Sequence, residues 1–248
     1  MLRSLYMCIL ASAAALGLSP APARAGSFSV SPVRVELSAR AQTGALTIRN
    51  QQDEPVVVQA EGLLWEQAND EDKLSPTKDV LVSPAVFTLP ANGSQLVRVA
   101  LRRPADAQRE LSYRLILTEV PPEAAPGFTG LNIALRLSVP IFVEARQPSP
   151  AQLDWSASRN GAGALAVTAR NAGSSHARVL HYTVAPAEGP GTAIDEATSA
   201  YILPGQARTW TLDNNQNDGT SGAGWRRLRV KGVTEAGDFE VVVSPDDR

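Results

Sequence analysis

Several residue types are scarce in this chain of 248 residues, and each scarcity closes a class of function. It has one cysteine, two histidines and only 5% aromatic side chains. Cys8 lies in the leading apolar segment, so from residue 26 onward there is no disulfide, thiol nucleophile or thiolate metal ligand. His176 and His181 lie in an apparent strand, where a spacing of five puts them on opposite faces. That spacing does not make a metal pair. No glycine-rich phosphate loop, nucleophile elbow or zinc-ligand spacing occurs. The acidic run Glu66 to Asp72 lacks the alternating ligands and turn glycine of a calcium loop and reads as a solvated hairpin loop. Nor is there a basic stripe for nucleic acid or a basic amphipathic helix for a membrane surface. The expectation is a protein that is not an enzyme, with no catalytic residues, no cofactor and no metal.

The first 25 residues read as a signal peptide. Arg3 precedes an apolar stretch from Leu5 to Leu18, then Pro20, Pro22 and the small-x-small ending Ala23-Arg24-Ala25. The stretch is shorter than the roughly 20 residues a spanning helix needs. No later stretch is long and apolar enough either, so no membrane insertion is expected. Cleavage after Ala25 removes two of the 23 basic residues and none of the 25 acidic ones, leaving a net charge of −4. An exported chain without disulfides must hold itself together by core burial, and it is long enough to do so as two domains.

What is abundant is period-two alternation. Phe28 to Leu37, Gly44 to Asn50, Pro55 to Trp65, Ser94 to Leu101, Leu111 to Val120 and Leu131 to Val143 read as strands separated by turn residues. Residues 144–152, with two prolines and polar neighbours, read as a short, stiff linker. Strand-like runs resume at Leu153 and continue to Val243, and no repeat unit is apparent. The predicted fold class is all-β, with two sandwich domains: a signal peptide over 1–25, a first domain over 26–147 and a second over 148–248.

The segment Leu131 to Ile141 is the most informative. Its odd positions are large and aliphatic, while its even positions are polar, small or proline. One face of the strand is therefore an aliphatic ridge. Pro140 has no N–H for a neighbouring strand and belongs at an edge, an end or a bulge. A ridge on an edge is what strand addition to a partner needs; a ridge that fills its own sandwich core is the other reading of the same residues.

The chain also resembles the PapD-type periplasmic pilus-assembly chaperones. The resemblance is carried by Val30-Ser31-Pro32-Val33-Arg34-Val35, by Thr47-Ile48-Arg49-Asn50 with Pro55 to Ala60, and by Ser83-Pro84. It continues through Leu89 to Arg98, Arg109 to Arg114, Thr118-Glu119-Val120-Pro121-Pro122 and Ile133-Ala134-Leu135. It covers most of the first domain and is weak in the second. It implies two immunoglobulin-like domains set at an angle, in a periplasmic protein. Such a protein lends a strand to pilus subunits and meets an outer-membrane usher through the subunit complex. Leu131, Ile133, Leu135 and Leu137 would enter the subunit groove, and Arg34 would bind the subunit's terminal carboxylate. The family's second anchor, a lysine, falls at Pro140, and the resemblance leaves Arg98, Arg114 and Arg136 as stand-ins. The short connection Pro121 to Gly130 and the run Leu135 to Val143 look like the archaic branch that serves spore-coat-U-like subunits. Self-capping and dimer formation are two ways to cover the ridge in the free chain. The rival reading is a structural pilus subunit or surface adhesin.

Overall fold

The computed structural model describes residues 28–121, 133–159, 164–189, 191, 193–212 and 225–247. These form strands and connections, with no helix among them. Leu131 lies outside the described residues.

Ten strands build the first sandwich: β1 (Phe28–Ser31), β2 (Val35–Leu37), β3 (Thr43–Asn50), β4 (Val56–Ala68), β5 (Glu71–Pro76), β6 (Val80–Ser83), β7 (Val86–Leu89), β8 (Ser94–Leu101), β9 (Leu111–Val120) and β10 (Arg136–Val143). One sheet runs β1-β3-β8-β6; the other runs β2-β10-β9-β4-β5, with β7 also on β4. The alternating side chains predicted to be apolar meet between the sheets. Leu46 and Ile48 of β3 and Val97 and Val99 of β8 share one core with Val58 and Ala60 of β4, Leu115 and Leu117 of β9 and Ile141 of β10. Each is essentially inaccessible to water, and burying each Val, Leu or Ile side chain among them contributes about 1.5–3 kcal/mol.

The second sandwich comprises β11 (Leu153–Arg159), β12 (Leu165–Asn171), β13 (Ala177–Pro186), β14 (Ile194–Ile202), β15 (Ala207–Thr211), β16 (Leu228–Thr234), β17 (Gly237–Val243) and β18 (Pro245–Asp247). Its sheets run β15-β12-β11-β18 and β14-β13-β16-β17. Two all-β sandwiches are what the alternation predicted.

A repeated corner, missed in the sequence, links the two halves. Thr47-Ile48-Arg49-Asn50 ends β3 and Thr168-Ala169-Arg170-Asn171 ends β12. Both asparagines are fully buried. Asn50 Nδ2 donates to the carbonyls of Glu54 (2.7 Å) and Pro90 (3.1 Å). Asn171 Nδ2 donates to those of Ser175 (2.8 Å) and Ile202 (2.9 Å). In each sandwich the amide locks the strand end against a Leu-Pro turn, Leu89-Pro90 and Leu203-Pro204. A buried amide is tolerated there because its donors are matched.

The acidic run is mostly strand. β4 continues to Ala68, and Asn69 and Asp70, both at positive φ (54° and 64°), make the two-residue turn into β5. Such a turn favours Asn and Asp. The tip is not merely solvated: Asp70 Oδ1 accepts from the Thr209 N–H (2.8 Å) on β15 of the second sandwich.

β4 also changes the face it buries. Val56, Val58 and Ala60 point into the first core, whereas Leu63, Trp65 and Gln67 are buried on the opposite face, with no slip in the β4–β9 register. The switch falls at Gly62, where a Cβ would lie 2.6 Å from Val80 Cγ2. Beyond it the outer face meets the second sandwich. Trp65 and Phe142 pack with Leu203 and Tyr201. Gln67 acts like a strand segment toward the second sandwich: Nε2 donates to the Tyr201 carbonyl (2.9 Å) and Oε1 accepts from the Leu203 N–H (2.9 Å). Replacement of Gln67 by Ala should leave a buried N–H unmatched and cost about 2 kcal/mol. Urea unfolding of the variant, with tryptophan fluorescence as the probe, measures that loss.

Candidate functional site

β10 has two neighbours along only part of its length. β9 accompanies it from Arg136 to Val143, but β2 pairs only with Ile141, Phe142 and Val143. Ahead of Ile141, no described strand lies on its outer edge. The direction of the main-chain groups follows from two bonds. Glu119 N–H donates to the Leu135 carbonyl (2.9 Å), and Glu144 N–H donates to the Leu37 carbonyl (2.9 Å). Odd residues of β10 therefore bond to β9, and even residues face the outer edge. Pro140 is an even residue, so its missing N–H removes nothing from the β9 ladder. This is how a proline sits inside an eight-residue strand.

Side chains alternate the other way. Val139, Ile141 and Val143 are buried in the first core. Leu135 and Leu137 are half-buried and lean on its margin. Ile133 is 64% exposed. The predicted ridge is thus divided: its distal half fills the chain's own core, and its proximal half emerges from it. The strand starts at Arg136, so Ile133 and Leu135 precede its first paired residue.

Arg34 was expected in the first strand. It lies instead in the bend between β1 and β2, where the chain crosses from one sheet to the other. Its neighbour Val35 is buried in the core, so Arg34 and Glu36 point to the outer face. Arg34 Nε pairs with Glu36 Oε1 at 2.9 Å, and Nη1 donates to Glu235 Oε2 at 2.7 Å. Glu235 Oε1 accepts from Arg178 Nη1 at 2.9 Å. One carboxylate of the second sandwich therefore joins two guanidinium groups, one from each sandwich.

The three stand-in arginines separate. Arg98 is exposed on β8, in the other sheet, and Arg136 is exposed at the start of β10. Arg114 of β9 lies directly opposite Pro140. Its guanidinium stacks 3.6 Å from the Trp65 ring centroid and 5.5 Å from that of Tyr201. It makes no hydrogen bond or salt bridge with a described residue. Burial pulls its pKa below the ordinary arginine value, partly offset by the Asp72 carboxylate. Arg178 stands 5.0 Å from the same Tyr201 ring. Arg34, Arg114 and Arg178 thus gather on one side of the domain junction. Arg178 and Glu235 were missed in the sequence because they come from the half where the resemblance is weak.

The histidines do other work. His176 Nδ1 lies 2.8 Å from Glu110 Oε1, and its ring stacks on Phe142 with centroids 3.6 Å apart. His181 pairs with Asp195 on the surface. No group of metal-ligating side chains occurs among the described residues.

Residues 27–149 match a family described as pili and flagellar-assembly chaperone, PapD N-terminal domain. The chain belongs to the PapD-like family. No curated protein sequence matches it. Among solved structures, it is similar to the CsuC–CsuE chaperone–tip adhesion subunit pre-assembly complex from archaic Csu pili of Acinetobacter baumannii. The TM-score is 0.67 and the identity 19%, over 89% of this chain and 99% of the other. The E. coli chaperone DraB aligns with a TM-score of 0.58 and 20% identity, over 88% and 97% of the two chains. A Salmonella enterica SafA pilin–SafB chaperone complex aligns with a TM-score of 0.59 and 20% identity, again over 88% and 97%. These likenesses extend the family's fold across both sandwiches.

Glu235 gives this site a measurable signature. Burial would raise its pKa, but the hydrogen bonds from Arg178 and Arg34 outweigh burial and hold it below the ordinary value of 4.5. A carboxyl with a depressed folded pKa contributes stability that is fully present above its unfolded pKa. That contribution is lost as pH falls through the lower, folded pKa. The link between the sandwiches should therefore persist at neutral pH and weaken only below about pH 4.5. Carbon-13 NMR titration of the Glu235 carboxyl should place its midpoint under 4.5, and Arg178→Gln should move the midpoint upward.

Proposed function

We propose that this protein is a periplasmic, non-enzymatic chaperone for pilus or spore-coat-U-like subunits, acting by donor-strand complementation. The observation that carries the reading is the half-open edge of β10. Its outer main-chain groups from Arg136 to Ser138 have no strand partner among the described residues, and Ile133 projects beside them. A subunit lacking one strand could take this edge into its own sheet. The ladder bonds would supply general affinity, and alternate aliphatic side chains would fill the subunit's core. Ile133, Leu135 and Leu137 are the inserting residues of this reading, with Leu131 preceding them. Leu135 and Leu137 already lean on the core, which favours self-capping in the free chain over a dimer.

Arg34 is the proposed anchor for the subunit's terminal carboxylate. Arg114, on the same face as Pro140 and one strand away, is the stand-in favoured over Arg98 and Arg136. The subunit complex would then be passed to an outer-membrane usher. The archaic, spore-coat-U-associated branch suits the proline at this position and the absence of cysteine after residue 25.

Ile133→Asp tests the donor edge with little risk to the fold, because the side chain is mostly solvated in the free protein. Burying an isoleucine contributes about 1.5–3 kcal/mol, so complex formation with a co-expressed pilin-like subunit should fall by about tenfold or more. Co-purification at fixed expression reads the change. An unchanged yield of complex, with an unchanged melting curve for the variant alone, would rule out the donor-strand mechanism.

A further inference from the structure

Glu235 sits in the turn joining β16 and β17, and the turn is well held. Its N–H donates to the Arg178 carbonyl at 3.1 Å, and Thr234 Oγ1 donates to the Gly237 carbonyl at 2.8 Å. From this base the side chain reaches across the junction to Arg34. Its two oxygens take one guanidinium each, at 2.7 Å and 2.9 Å. Paired guanidinium donors are the groups suited to a carboxylate, because their planar forks match its two oxygens. Nothing in that match distinguishes a side-chain carboxylate from the end of another chain. The three arginines here are already matched in charge: Glu36 and Glu235 face Arg34 and Arg178, and the Asp72 carboxylate acts on Arg114, so an incoming anion has to replace a resident carboxylate. Arg34, Arg114 and Arg178 are drawn together here, and Arg114 makes no salt bridge with a described residue.

We propose that Arg34 and Arg178 form a carboxylate clamp across the domain junction, with Glu235 as its resident ligand, and that a partner's C-terminal carboxylate binds by displacing Glu235. This rests on the chaperone reading and deepens it in two ways. It adds Arg178 of the second sandwich as the group that shares the carboxylate with Arg34, leaving Arg114 as the nearby stand-in on the first sandwich, and it makes the empty chaperone self-blocked. Displacement is economical: the incoming carboxylate replaces an equal charge, so each partly solvated arginine keeps a carboxylate partner. Only the Glu235 side chain must rotate out, since its backbone is fixed by the turn. Releasing Glu235 frees Arg34 from the second sandwich, so subunit capture would also loosen this tie between the domains.

The clamp can be tested without a subunit. N-acetyl-trialanine with a free C-terminus presents the terminal carboxylate but is too short to complete a strand; its C-terminal amide is the control. Both are titrated into the full mature chain and followed by the arginine Nε resonances. A resident ligand lowers the competent fraction of the clamp, so Glu235→Gln should bind the free acid about tenfold more tightly than the unaltered protein. The amide should bind neither. Adding Arg178→Met to Glu235→Gln should remove the gain. In the unaltered protein, saturating acid should move the Glu235 carboxyl resonance to that of a solvated glutamate, which keeps the test decisive if Glu235→Gln folds poorly. No gain in Glu235→Gln, an equal gain for acid and amide, or a Glu235 resonance indifferent to the peptide would each overturn the clamp. Ile133→Asp should leave the peptide result untouched. Failure of the donor edge and failure of the clamp therefore appear in different experiments.

Discussion

The structure turns on the point where β10 loses its second neighbour. β2 is only three residues long and stops at Val35, opposite Ile141. Before that point the outer row of main-chain groups has no described strand to bond. Sandwiches normally blunt such an edge with charge, proline or a bulge. Here the blunting is selective. Pro140 removes one outward donor next to the β2 junction, and Arg136 places a charge at the far end. Between them Ser138 keeps both its main-chain groups. Since odd residues serve β9 and even residues serve the edge, the proline can mark the end of the open segment without weakening the sheet behind it.

That same row explains how a proline can stand where a cation was expected. Extending the parallel β2–β10 register by one step puts Arg34 level with Pro140, and the antiparallel register puts Arg114 level with it on the other side. Pro140 therefore lies between two arginines, and it is itself buried. A lysine there would bring a third cation into a row already supplied from both neighbours, at a site where desolvation is costly. The ring and guanidinium stack of Trp65, Arg114 and Tyr201 then holds the charge where the sandwiches meet. A cation over an aromatic face keeps part of its electrostatic stabilisation without a carboxylate.

Much of the fold was legible because burial and alternation agree in most long strands. β3 and β8 bury the positions their patterns indicate. Strands whose partners, rather than their composition, make them strands were not legible. β5, with Glu71-Asp72-Lys73, is polar, and β6 and β7 have four residues each. Trp65 and Gln67 fall on the opposite face from Val56, Val58 and Ala60, and only the surface of the second sandwich explains why that outer face is buried. The corner repeat escaped notice because it resides in two short motifs per domain, with unrelated sequence between them. The arginines expected near the anchor were named from the first domain. The Glu235 contact needed three-dimensional closure, because Arg34 and Glu235 are 201 positions apart.

The two parts of the site do different physical work, and the sheet ties them together. A strand edge offers the same main-chain ladder at every second residue, so it gives affinity with little preference for register. A pair of guanidinium groups gives a fixed point but, being partly solvated, modest affinity. Neither alone would seat a partner strand in one position. Arg34 is one residue ahead of β2, and β2 is bonded to β10 immediately beyond the open segment. The distance from the clamp to Leu137, Leu135 and Ile133 is therefore set by main-chain pairing rather than by a flexible connection. A carboxylate held at Arg34 would fix which of a partner's residues oppose those aliphatic side chains, and a one-residue slip would turn the wrong face to the core. Charge would choose the register, and burial would then supply the affinity.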